Sequence, residues 1–234
     1  MTAMTHLRLW IRPFTVAALV VCCAALVVTA QRSPGRHPVS GREYAWPMGL
    51  GGAPWLDREE RETEEAPTRA LAIMNVTPGS AVADIGAGSG YFTERLARLV
   101  GPAGKVYAAD IQAGMLDLIR ARLARERITN VSLILSAPAD PKLPAASVDL
   151  ALMVDVYHEL HDPQAMLAHL RDALKPGGRL VLVEYKGEDP SIPILPSHKM
   201  TVAQAKQEVE AEGYTLTTTD SSLPRQHVLI FTKR

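Results

Sequence analysis

Three glycines at alternate positions follow an acidic residue in Val82-Ala83-Asp84-Ile85-Gly86-Ala87-Gly88-Ser89-Gly90-Tyr91. The apolar run before them reads as a buried strand, and the amphipathic segment after them as a helix. Between the two lies bare backbone. Glycine lets a ligand approach the main chain closely and takes positive φ without steric cost. The helix that follows opens with unpaired N–H groups, which suit an anionic or polar ligand. Such a turn is chemistry for holding a cofactor. Its spacing is G-x-G-x-G, whereas a dinucleotide fingerprint is G-x-G-x-x-G, with a third glycine for close helix–strand packing. Tyr91 stands where that glycine belongs, which counts against a pyrophosphate loop and a nicotinamide-dependent oxidoreductase.

Asp110 closes the next apolar run, about 20 residues beyond the glycines, where nucleotide-binding folds set a carboxylate against ribose hydroxyls. The same carboxylate is also placed to cap a helix beginning near Gln112. Further on, Asp155-Val156-Tyr157-His158-Glu159-Leu160-His161-Asp162-Pro163 brings two imidazoles and an acid together at the end of another apolar run. His158 and His161 are three residues apart rather than the four of an H-E-x-x-H zinc helix, and no third ligand stands out, so no metal is expected. Glu184-Tyr185 and Pro196-Ser197-His198-Lys199-Met200 follow later runs and should overhang the same end. The two cysteines, Cys22 and Cys23, exclude thiol nucleophiles, disulfides and sulfur-ligated zinc from residue 24 onward.

These residues need strands and helices in alternation to bring them to one edge. Strands are expected after the Pro78-Gly79 turn in the run ending near Asp84, and at 105–110, 131–135, 148–154 and 179–184, with helices at 114–126, 163–174 and 201–212. Lys175-Pro176-Gly177-Gly178 supplies a helix stop. Segments 214–219 and 227–232 are close enough to form a closing antiparallel pair. The expected architecture is α/β: a doubly wound, mostly parallel, seven-stranded sheet with one antiparallel terminal strand. Asp57–Glu65 is densely charged and leads into a helix near Ala70–Met74 that would cover the cleft. The charged run itself reads as a solvated helix face.

With 234 residues and 47% hydrophobic content, the chain suits one domain with an appendage. Residues 14–30 are uncharged and apolar, follow Arg8 and Arg12, and end in Val28-Thr29-Ala30. They read as a signal peptide or an uncleaved membrane anchor. That expectation divides the chain into a leader at 1–30, a linker or draped segment at 31–56 and a catalytic domain at 57–234. It implies membrane association through residues 7–30 or export to the periplasm, with the cytoplasmic face open to an anchored form. Without the leader, 23 basic residues stand against 25 acidic ones, so no nucleic-acid partner is expected.

The phrases Val-Ala-Asp-Ile-Gly-Ala-Gly-Ser-Gly-Tyr-Phe, Asp-Val-Tyr-His-Glu and Leu-Lys-Pro-Gly-Gly-Arg-Leu together resemble class I S-adenosylmethionine-dependent methyltransferases, in particular bacterial small-molecule enzymes of the type 11 kind. The resemblance runs over roughly residues 66–234. It implies S-adenosylmethionine as cofactor, with Gly86, Ala87, Gly88 and Gly90 around its methionine and ribose portion and Asp84 orienting its amino group. Asp110 would then hold the ribose, Ile111 and Met115 the adenine face, and Asp140 the adenine amino group. Asp155 would lie between cofactor and substrate. Methyl transfer to a small-molecule acceptor is an in-line displacement in which the protein positions and polarises. A base is useful if the nucleophile is a hydroxyl or carbon acid, a role read for His158 assisted by Tyr157 or Glu184. The [DN]-P-P-[YFW] tetrapeptide of amino-directed nucleobase methylases is absent. The alternative is a catalytically silent protein of this fold, acting as a tethered or exported binding module.

Overall fold

The computed structural model describes residues 35–234, within a compact unit that runs from Pro34 to Arg234. The expected leader and its cysteine pair lie outside the described residues. Strands β1 (Ala81–Ile85), β2 (Lys105–Asp110), β3 (Val131–Leu135), β4 (Val148–Val154) and β5 (Leu174–Lys186) are joined to their neighbours in parallel. The last two long strands, β7 (Tyr214–Asp220) and β8 (Gln226–Lys233), are antiparallel to each other, and β8 is also antiparallel to β5. The sheet order is β3-β2-β1-β4-β5-β8-β7. Chain order reverses between β1 and β4, the switch point at which open α/β sheets bind ligands.

Helices cover both faces, which is why β1 and β4 are apolar on both sides rather than alternating. One face is packed by helices α6 (Pro163–Ala173) and α7 (Val202–Ala211), whose Met166, Leu167, Leu170, Ala205 and Val209 meet Leu180, Leu182 and Phe231. On the other, α3 (Pro67–Met74) and α4 (Tyr91–Val100) set Leu71, Met74, Phe92 and Leu96 against Val82, Leu152 and Val181. Between β2 and β3 runs α5 (Ala113–Glu126), and α1 (Ala53–Leu56) and α2 (Arg61–Glu65) precede α3. Chemistry at the ends is local: Thr201 and Gln204 form a reciprocal capping box at the start of α7.

Three expectations need correction. The sheet has eight strands, because Lys199–Met200 forms a two-residue β6 beside Tyr185–Lys186, too short to leave a periodic signal. The helix does stop at Ala173, just ahead of Lys175–Gly178, but that stretch lies within β5 rather than in a separate loop before it. Leu174 pairs with Val148, and the register then shifts before Leu150 meets Arg179. The third concerns the charged run, where Arg61 and Glu65 are buried rather than solvated. Glu65 accepts from Arg61 Nε at 2.8 Å and also pairs with Arg58, so the charges go inside as partners.

Residues 35–56 drape across this end of the sheet. Arg42 grips Glu208 of α7 through Nε and Nη2, each at 3.0 Å, and donates to the His158 carbonyl at 3.0 Å. The Ala45 N–H bonds the same carbonyl.

Candidate active site

A cavity of about 580 Å³ opens where β1, β2, β4 and β5 end, floored by Gly86, Gly88 and Asp110 and roofed by Trp46, Trp55 and Leu195. Its volume suits a small-molecule site, and its walls are mostly apolar, as such sites are. At one end, Gly86, Gly88 and Gly90 all have positive φ, at 67°, 55° and 82°. A Cβ on Gly86 would stand 2.5 Å from Val156 Cγ2, and one on Gly88 2.8 Å from Leu56 Cδ1. Gly86 and Gly88 line the cavity; Gly90 instead caps α4 and packs on Ile119. Asp110 accepts the Gly88 N–H at 2.9 Å on one oxygen and the Gln112 N–H at 2.8 Å on the other. Burial raises its carboxyl above the usual range against the pull of those donors. The cap role and the ligand role coexist, since each oxygen keeps a second acceptor site. Ile111 and Met115 line the wall beside it.

Asp155 ends β4 in the left-handed region, φ 54°, a conformation that costs energy in a residue other than glycine. Gln226 donates to its Oδ2 at 2.7 Å, while Oδ1 is buried with no partner among the described residues. Burial, with Glu65 and Glu184 nearby, drives this carboxyl well above its ordinary range.

Besides Gly90, three residues expected at the cofactor do not reach the cavity wall. Asp84 lies behind the glycine turn and accepts from Thr93 Oγ1 at 2.6 Å, its buried carboxyl pushed up to about 6. It ties β1 to α4 from inside. The Ala87 side chain packs with Leu116 and Ile119. Asp140 accepts the Lys142 N–H at 2.7 Å and closes a turn onto Ala137. Ser136 and Pro138 line the wall from that loop instead. The slip has a simple cause: a short irregular loop carries no periodicity from which to read facing.

His158 also lines the cavity. Its Nδ1 lies 2.6 Å from Glu184 Oε2, and Glu184 Oε1 accepts the Tyr157 N–H at 3.0 Å. A carboxylate can only accept, so Nδ1 carries the proton and a neutral ring presents Nε2 as a lone pair. Burial pulls the imidazole down, but the Glu184 charge and hydrogen bond outweigh it, and the net displacement is upward. His198, from the loop after β5, places Nδ1 3.1 Å from His158 Nε2. Glu159 adds a carboxyl raised by burial to about 7. The Tyr157 side chain is a correction: its ring is buried in the core near the Arg42 guanidinium, away from the cavity lining. Glu184 is fully buried and touches the ring, not the cavity. It orients His158. His161, exposed, stacks on Tyr44, meets Trp46 edge-on and also lines the cavity.

Reasoning from sequence missed Arg61 as a lining residue and placed Tyr185 at this end without a role of its own. The Tyr185 hydroxyl donates to Glu65 at 2.5 Å, joining the Arg58–Arg61–Glu65 cluster beneath the cavity. Trp46 and Trp55, aromatic residues in an otherwise polar linker, were the available signal for the roof.

Residues 82–178 match a family described as "Methyltransferase domain". The chain is 36% identical over 115 residues to the ubiquinone/menaquinone biosynthesis C-methyltransferase UbiE of Burkholderia cenocepacia, a span covering 49% of this chain and 47% of that one. It thus spans about half the length of the curated relatives it matches. Among solved structures, a SAM-dependent methyltransferase from Aquifex aeolicus superposes with a TM-score of 0.75 at 24% identity, covering 79% of this chain and 98% of that one. A TehB-like SAM-dependent methyltransferase from Corynebacterium glutamicum gives 0.59 at 16% identity, covering 79% and 98%. At those identities the likeness is one of fold.

The residues present fit S-adenosylmethionine. The cradle at Gly86 and Gly88 has no room for a Cβ, Asp110 retains acceptor capacity for ribose hydroxyls, and the unpartnered Asp155 Oδ1 suits an ammonium donor. The match over residues 82–178 and the likeness of fold imply S-adenosylmethionine as cofactor, and the turn at the switch point carries residues able to hold it.

Proposed function

We propose that the protein transfers a methyl group from S-adenosylmethionine to an apolar small molecule bearing a hydroxyl or an acidic carbon. The observation that carries this is one cavity whose wall holds both a glycine–carboxylate cradle and a histidine backed by a buried carboxylate. The sulfonium supplies the reactive methyl when the cofactor is bound. The chain's own part is positioning. Asp110 and the Gly86–Gly88 backbone hold the donor end. Trp46, Trp55, Ile194 and Leu195 offer an apolar surface to the acceptor and exclude water. His158, held by Glu184, accepts the acceptor's proton at Nε2. The similarity to a quinone-pathway C-methyltransferase over half its length is consistent with an aromatic acceptor of that chemical kind. The apolar run at 14–30 further suggests work at a membrane, which cell fractionation would check.

Calorimetric titration of the full chain in detergent with S-adenosylhomocysteine tests the donor end, with Asp110→Ala as control. Micromolar binding lost in the control supports the reading; no binding by folded protein overturns it. In an acceptor screen, His158→Ala should lower kcat by about 10²–10⁴-fold while leaving S-adenosylhomocysteine binding intact. Wild-type turnover in that variant removes the base assignment.

A further inference from the structure

His158, Glu159 and His198 bring three ligand atoms to one point on the cavity wall, the one such group of three among the described residues. His158 Nε2 and His198 Nδ1 are 3.1 Å apart, and Glu159 Oε1 lies 4.0 Å from the first and 3.9 Å from the second. The two longer separations exceed hydrogen-bonding range. They suit a shared ion: a point equidistant from the three atoms lies about 2.1 Å from each, within the range for zinc bound by histidine and carboxylate. The second observation is the outer partner. Glu184 takes the proton-bearing Nδ1 of His158 at 2.6 Å and is itself held by the Tyr157 N–H. Metal-binding histidines are oriented by a carboxylate in this way, fixing the tautomer that turns a lone pair toward the ion.

We infer that His158, Glu159 and His198 form a site for a divalent cation of the zinc class, two imidazoles and one carboxylate, with its open position facing the acceptor end of the cavity. Such a donor set suits zinc, cobalt or nickel better than magnesium, which favours all-oxygen surroundings. Three protein ligands with a vacant fourth position is the pattern of a catalytic rather than a structural zinc site. Resting on the methyl-transfer reading, its role would be to bind the acceptor's hydroxyl oxygen and lower its pKa, the proton leaving to solvent. His158 then serves as ligand, and activation passes from imidazole to cation.

The test uses Co²⁺ alone as probe, added to the metal-stripped full chain in detergent and followed by visible absorption. One equivalent is expected to bind and give the d–d bands of a four- or five-coordinate centre. His198→Ala and Glu159→Gln should each weaken binding by about 100-fold or more, while exposed His169→Ala leaves it unchanged. Glu184→Gln should weaken it by about 10–100-fold. Circular dichroism checks folding; if His198→Ala fails to fold, Glu159→Gln decides. Absence of saturable one-equivalent binding, or full-strength binding by the folded ligand variants, overturns the site. Parallel titration with S-adenosylhomocysteine separates the two readings. Nucleoside binding without Co²⁺ binding removes the metal site alone, whereas Co²⁺ binding without nucleoside binding leaves the site and removes the methyl-transfer role.

Discussion

On the glycine side of the cavity the wall comes from Gly86, Gly88 and Asp110, on adjoining strands close in sequence. The charged and polar side chains of Arg61, His158, Tyr185 and His198 reach the same cavity from four separated segments. The first region works through backbone conformation, and its tolerance is steric. The second works through buried charge. Arg58 and Arg61 share Glu65 with the Tyr185 hydroxyl, and His158 shares Glu184 with a backbone N–H. In a low-dielectric setting each of those groups depends on its partner, so removing one leaves another uncompensated. The two regions should therefore fail differently.

The largest effect is expected from Glu65→Ala. It strands two guanidinium groups and a hydroxyl beneath the cavity, at a cost of about 3–5 kcal/mol. Thermal unfolding should show a fall of roughly 10 °C or more for a domain of this size. A loss below 1 kcal/mol would mean that the cluster is already solvated.

Asp84→Asn probes the buried charge behind the cofactor turn. The carboxyl is raised from 3.8 to about 6, so the folded protein holds that proton more tightly than the unfolded chain. The stability this confers is complete below about pH 4 and is lost as pH rises through 6. Over that window the parent should lose about 3 kcal/mol that Asp84→Asn retains, read from urea midpoints at several pH values. Parallel pH profiles for the two proteins would refute a buried, raised Asp84.

Gly86→Ala sharpens the steric side of the contrast. Its φ of 67° and the 2.5 Å approach to Val156 leave no place for the methyl. S-adenosylhomocysteine affinity should fall by about 100-fold, close to 2.7 kcal/mol, and the forced positive φ should lower stability by about 1–2 kcal/mol or more. The smallest effect belongs to Asp140→Asn, a turn residue away from the lining. Binding is expected to change by less than about 0.5 kcal/mol in the same calorimetric titration.

The glycine turn, Asp110 and the strand limits at β2, β3 and β4 were legible because each is a local pattern: an apolar run, a break and an acid at a known distance. Asp84 and Asp140 were misplaced for the converse reason. An acidic residue's type says nothing about facing when its neighbours are a tight turn or an irregular loop. The burial of Arg61 and Glu65 was invisible for a different cause, since a charged run resembles a solvated face until its partners are known.

The sequence by itself determined the alternation of strand and helix, the cradle at the first turn and the carboxylate that serves it, because each is specified by residues within a few turns of one another. Only the tertiary structure decided what lies on the rest of the cavity wall. The meeting of His158 with Glu184 and His198, the roof made by Trp46 and Trp55, and the sinking of Arg61 all depend on sheet order and on the draping of residues 35–56. Those are contacts between distant positions, and packing, not local propensity, chooses them.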